Sequence, residues 1–113
     1  MHEFSICQNI IQIVDQKLNQ VSQTRVEKII LTIGKLAAID IESLKFWFPV
    51  AVKSTSLDSA TIEVTEIEGS AQCISCHQQF DLEKLYQACP FCNSYDRKIL
   101  SGMEMLVQKI QLK

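Results

Sequence analysis

Two C-x-x-C pairs, Cys73-Ile-Ser-Cys76 and Cys89-Pro-Phe-Cys92, lie 12 residues apart and constrain this chain more than anything else in it. A two-residue gap lets a tight turn aim both thiolates at one ion at about 2.3 Å, and two such turns complete a tetrahedron of sulfur. That set leaves no position open for a substrate, so the ion it predicts is a structural Zn2+. The surrounding stretch, residues 71–98, is poorer in apolar side chains than the rest. In comparable peptides zinc binding contributes roughly 10 to 16 kcal/mol, which would be the main term folding so short a segment.

Three rival readings of the cysteines fit less well. Cys73-Ile-Ser-Cys76-His77 matches the C-x-x-C-H pattern of covalent haem attachment. That reading leaves the second pair unexplained and calls for an export signal, which Met1-His2-Glu3-Phe4-Ser5 does not resemble. A redox dithiol of the thioredoxin kind needs one exposed pair at a helix start, not two facing loops. A nucleic-acid-binding ribbon needs positive charge. Here Asp81, Glu83 and Asp96 balance Lys84, Arg97 and Lys98, and four thiolates on a divalent ion add two negative charges.

The whole chain points the same way. Its 113 residues carry 11 basic and 13 acidic groups, a net charge of -2, which argues against a nucleic-acid partner. No apolar run approaches the roughly 18 residues a membrane helix needs, so no membrane partner is expected either. A cytoplasmic location follows as an expectation, and in that reducing compartment paired cysteines serve metals more readily than disulfides.

Periodicity supplies the remaining elements. Cys7, Ile10, Ile11, Val14, Leu18 and Val21 recur at helical spacing and predict a helix over 4–21, with Cys7 a packed core thiol. Val26, Ile29, Leu31 and Ile33 predict a strand over 25–34 that ends at Gly34. Asp40 is placed to cap a second helix over 41–53, in which Pro49 predicts a kink or a late start. Residues 60–67 alternate as a second strand, and 104–112 as a third. The pattern predicts an α+β chain in which 1–70 plus 99–113 form one domain and 71–98 an inserted zinc-binding module.

His2 has two readings from chemistry alone. A histidine at a chain terminus is commonly a solvated side chain. Alternatively, a terminal amine, ionised backbone amides and an imidazole form fused chelate rings, with nitrogens in the near-square plane that suits Ni2+ or Cu2+.

Met1-His2-Glu3-x-Ser5, the Ile33-Gly34 strand end, the two cysteine pairs and Gly102-x-Glu104 together resemble the HypA (HybF) hydrogenase nickel-incorporation proteins, essentially from end to end. The resemblance implies two helices packed on a three-stranded sheet with an inserted four-cysteine zinc-ribbon-like module. It implies nickel on the Met1 amine, His2 and Glu3, and structural zinc on Cys73, Cys76, Cys89 and Cys92. It further implies a metallochaperone that delivers Ni2+ to the [NiFe]-hydrogenase large-subunit precursor together with a HypB-type GTPase. Asp40 is then a residue near the nickel segment, although helix capping explains it equally. The exposed side of the first helix beside His2 is the expected partner surface.

One departure from the zinc-knuckle pattern stands out. Glycine often follows the second cysteine of such a pair, whereas this chain has His77 and Asn93, two residues that tolerate positive φ better than most. His77 is also a candidate link between zinc geometry and pH; an exposed loop histidine is the plainer reading. An enzyme is not expected. No nucleophile, base and orienter come together in the pattern, and the absence of G-x-x-x-x-G-K-[ST] leaves nucleotide hydrolysis to the partner. The alternative function is a zinc-ribbon protein-interaction module that delivers no metal.

Overall fold

The computed structural model describes residues 3–18 and 25–113. The chain runs α1 (Glu3–Leu18), β1 (Val26–Gly34), a 3-10 turn (Lys35–Ala37), α2 (Ile41–Ala51), β2 (Thr61–Ile67), β3 (Ser70–Cys73), β4 (Gln79–Asp81), β5 (Arg97–Ser101) and β6 (Met105–Leu112). One sheet has the order β2-β1-β6 and a second the order β4-β3-β5. The chain divides into two compact units. The first comprises Met1–Thr32, Ile39–Thr65 and Leu106–Lys113, the second Ile33–Ala38 and Glu66–Met105.

In the first unit α1 buries Cys7, Ile10 and Val14, three positions on one helical face. Its first turn carries Glu3 and its last Lys17, both of the sign that the helix dipole favours. Val21 of the predicted helix lies outside the described residues. Cys7 is fully buried, and its thiol points to the Leu44 carbonyl 3.8 Å away. Burial pushes that thiol up to about 11, against the pull of its own backbone hydrogen bond. It is a core residue, as its spacing indicates. β1 contributes Val26, Ile29 and Leu31 to the buried set, and α2 contributes Leu44 and Phe48.

α2 starts directly after Asp40, whose carboxylate accepts the Ser43 N–H at 3.1 Å. The cap fixes the first turn, so the late start that Pro49 had suggested does not occur. Pro49 instead sits inside the last turn, where its missing N–H removes only one helical hydrogen bond before the helix ends at Ala51.

In the second unit β3 is central and antiparallel to both neighbours, pairing Ala71 with Phe80 of β4 and with Ile99 of β5. Leu36, Ala71, Cys73, Phe80, Leu82 and Cys89 form its core, with Cys76 packed against them. The cysteine-bearing segment therefore has an apolar core, completed by Leu36 of the 3-10 turn. Gly34 and Gly102 allow the chain to reach that arrangement. A Cβ on Gly34 would stand 2.0 Å from the Gly102 carbonyl oxygen. Gly102 has φ +109, and a Cβ there would stand 2.7 Å from the Gly69 Cα. The close approach is held by Gly34 N–H donating to the Glu104 carbonyl and Leu36 N–H to the Gly102 carbonyl, each at 2.8 Å.

Candidate metal centre

Both cysteine pairs sit in the same backbone turn, repeated almost bond for bond. In the first, Cys73 N–H donates to the Gln78 carbonyl and His77 N–H to the Cys73 carbonyl, both at 2.9 Å. In the second, Cys89 N–H donates to the Ser94 carbonyl and Asn93 N–H to the Cys89 carbonyl, again at 2.9 Å. Such a turn closes only if the residue after the second cysteine is left-handed. His77 has φ 65 and Asn93 φ 64, the conformation that glycine commonly supplies there and that these two side chains tolerate. The knuckles are tied together by Ile74 N–H on the Asp96 carbonyl at 2.9 Å and by the Ser75 and Ser94 hydroxyls at 3.0 Å.

The four sulfurs converge. All lie within 4.8 Å of one another, with Cys73 and Cys92 3.5 Å apart and Cys76 and Cys89 3.7 Å apart. A tetrahedron with Zn–S bonds of about 2.3 Å has edges of about 3.8 Å. The set fits a zinc-sized ion with little movement. Cys73 and Cys89 are buried in the apolar core, Cys76 is half-buried and Cys92 exposed, so the ion would lie at the core's margin.

Amides aimed at the sulfurs prepare the set for charge. Cys76 N–H points at the Cys73 sulfur at 3.5 Å and Phe91 N–H at the Cys89 sulfur at 3.4 Å. The Cys76 amide, helped by the Cys92 thiol and opposed by burial, draws Cys73 down to about 6. Around Cys92 the Ser94 amide pulls downward, but the Cys73 thiol, burial and the remaining thiols outweigh it and push Cys92 up to about 12. Cys76 is also raised, since burial and its neighbouring thiols outweigh the Gln78 amide. Four thiolates packed this closely repel one another, and only a cation lets all ionise together.

Of the other residues singled out by sequence, Glu3 and Asp40 come together. The Glu3 carboxylate accepts the Asp40 backbone N–H at 3.2 Å, so Asp40 binds Glu3 through its main chain while its own carboxylate caps α2. Met1 and His2 lie outside the described residues. His77 forms the first knuckle's left-handed turn. Sequence reasoning missed the exposed aromatic side of α2, where Phe46 and Trp47 stand on the surface. The signal was present, because 41–52 holds too many apolar residues for one helical face to bury.

Comparison with known proteins gives consistent results. A family model described as hydrogenase/urease nickel incorporation, metallochaperone, hypA matches residues 1–112. The hydrogenase maturation factor HypA of Francisella philomiragia is 44% identical over 110 residues, covering 97% of each chain. Hydrogenase maturation factor HypA 1 of Bradyrhizobium diazoefficiens is 34% identical over 112 residues, covering 99% of each. The solution structure of the Ni metallochaperone HypA from Helicobacter pylori superimposes with a TM-score of 0.72 at 21% identity, covering 99% of this chain and 97% of that one, and is a likeness of fold.

Proposed function

We propose, for a chain that belongs to the HypA family of hydrogenase/urease nickel-incorporation metallochaperones, that the Met1 amine, His2 and Glu3 hold Ni2+ as cargo. The ion passes to the [NiFe]-hydrogenase large-subunit precursor, with a HypB-type GTPase as partner. Cys73, Cys76, Cys89 and Cys92 hold Zn2+, which supplies a structural cross-link and no chemistry on a substrate.

The observation that carries this reading is the completeness of the sulfur set. Four converging thiols satisfy one tetrahedral ion, and no ligand position is left from which a cargo ion could be handed on. An ion that must leave needs a different site with few ligands. The N-terminal segment meets that need. Its amine, amides and imidazole suit the near-square plane of nickel, and a small, incomplete ligand set lets an acceptor displace it.

Glu3 and Asp40 have a positioning task in this scheme. With the Glu3 carboxylate on the Asp40 amide, α1 begins at a fixed place beside the α2 N-terminus. Glu3 contributes to nickel through its backbone amide while its carboxylate keeps the Asp40 contact. The two sites also draw on different units of the chain, Glu3 and Asp40 from the first and the four cysteines from the second.

Nickel titration by calorimetry of the zinc-loaded native protein, the His2→Ala variant and a form extended by residues before Met1 tests the reading. One nickel per native chain, with binding weakened at least about tenfold in both altered forms, is the expected result. Equal binding by all three would end the terminal-site proposal.

A further inference from the structure

Arg97 stands opposite a cysteine. In the register of β3 and β5 it pairs with Cys73, next to the pair of Gln72 and Lys98. Residues directly opposite each other on antiparallel strands send their side chains to the same face of the sheet, with Cβ atoms about 5 Å apart. The Arg97 side chain therefore leaves β5 on the face from which Cys73 presents its sulfur to the cluster.

Its guanidinium reaches the second knuckle. One nitrogen, Nη1, donates to the Gln87 carbonyl at 3.2 Å and to the Tyr95 carbonyl at 3.3 Å. Gln87 precedes Cys89 by two residues and Tyr95 follows Cys92 by three, so a single group holds the loop of that knuckle both where it begins and where it ends. Gln87 is itself anchored, because its side-chain amide accepts the Glu83 N–H at 2.9 Å and donates to the Asp81 carbonyl at 3.1 Å. Asp81 ends β4. The Cys89–Cys92 loop is thus held from β4 through Gln87 and from β5 through Arg97.

The charge of Arg97 needs a counterpart. The residue is half-buried, its Nε is buried without a hydrogen-bond partner, and among the described residues it forms no salt bridge with a carboxylate. A cation drawn out of water in this way is costly unless an opposite charge stands near it. Zn2+ on four thiolates carries two negative charges, and the strand register sets Arg97 beside one of the four cysteines.

We propose that Arg97 is a positioning residue of the zinc centre, which sets the Cys89–Cys92 loop against Cys73 and supplies the counter-charge of the loaded cluster. The inference rests on the reading of the four cysteines as a zinc site and is independent of the terminal nickel reading. A guanidinium suits both tasks, since it is permanently charged and its planar group donates in several directions at once.

Three measurements on Arg97→Met, Arg97→Gln and Arg97→Lys test it: zinc affinity by competition with a chromophoric chelator, the absorption of the Co2+-saturated protein, and cysteine-resolved alkylation of the zinc-loaded chain. Methionine keeps the apolar stem but removes charge and donors, and should weaken zinc binding at least about tenfold. Its Co2+ d–d bands should be displaced from native at saturation, and its gain in alkylation rate should fall on Cys89 and Cys92 more than on Cys73 and Cys76. Arg97→Lys keeps the charge that Arg97→Gln lacks and should bind zinc at least about threefold more tightly than it does. Zinc affinity within about twofold of native in Arg97→Met overturns the proposal. So does a loss spread evenly over the four cysteines with the native Co2+ spectrum, the mark of a general loosening of the unit. Should Arg97→Met fail to fold, the other two variants decide, and equal affinity in both, or tighter binding by Arg97→Gln, overturns it. A native chain that takes up no Zn2+ on its four sulfurs defeats the zinc reading, whereas native loading indifferent to residue 97 defeats this inference.

Discussion

Replacing Gly34 by alanine tests the packing of the cysteine-bearing unit without touching a cysteine. Gly34 has φ -78 and ψ 145, a conformation any residue adopts, and at such a position glycine to alanine ordinarily stabilises by about 0.4 to 1 kcal/mol through the unfolded chain. Here the added methyl would stand 2.0 Å from the Gly102 carbonyl oxygen and 2.1 Å from its carbon. These are backbone atoms, and no rotamer relieves the clash. Restoring a normal contact parts the end of β1 from the β5–β6 connection by more than about an ångström, which stretches both 2.8 Å bonds, Gly34 N–H to Glu104 and Leu36 N–H to Gly102, beyond bonding distance. Losing two net hydrogen bonds and leaving their groups short of partners costs about 3 to 5 kcal/mol against a gain of less than one. For a chain of this size that lowers the melting temperature by at least about 10 °C. Thermal unfolding of zinc-saturated protein followed by circular dichroism measures it. A melting temperature unchanged or raised would refute the close approach of Gly34 to Gly102.

Other outcomes follow from the same geometry. His77→Val places a β-branched residue at φ 65 and should cost about 1 to 2 kcal/mol in urea unfolding of the zinc form, whereas His77→Asn should be within about 0.5 kcal/mol of native because asparagine tolerates that region. Cys76 and Cys92 are raised while Cys73 is drawn down to about 6, so at neutral pH loading the sulfur set releases at least two protons. Zinc affinity therefore falls as pH falls, by about a hundredfold or more per unit near pH 7, and calorimetry in buffers of different ionisation enthalpy counts the protons; a slope of one proton or fewer contradicts this ionisation pattern. Cys7, buried and raised to about 11, should stay unreactive to a thiol reagent at pH 8 after a chelator has exposed the other four cysteines, and react only on unfolding.

Local pattern carried much of this structure in the sequence. The spacing of Cys7, Ile10 and Val14 identifies the buried face of α1, Asp40 identifies the start of α2, and the two cysteine pairs identify the sulfur cluster, because each signal lies within a few residues. His77 and Asn93 in place of glycine are legible too, since both take the left-handed turn the knuckle demands. What sequence did not disclose lies far apart along the chain or is too short to show a period. β4 has three residues and β3 four, below the length at which alternation becomes a signal. The Glu3 to Asp40 bond spans 37 positions, and the Gly34 to Gly102 approach joins segments that no local rule connects. The exposed aromatic side of α2 needs the structure as well: composition shows more apolar residues than one face can bury, but not which of them the fold leaves outside.

X-ray absorption at the nickel and zinc edges of one sample, loaded with a single equivalent of each metal, addresses the division of labour between terminus and cluster most directly. The account predicts nitrogen and oxygen neighbours around nickel, with an imidazole signature that His2→Ala removes, and four sulfurs around zinc that do not change when nickel arrives. Sulfur neighbours around nickel, or an unaltered nickel spectrum in His2→Ala, would contradict it.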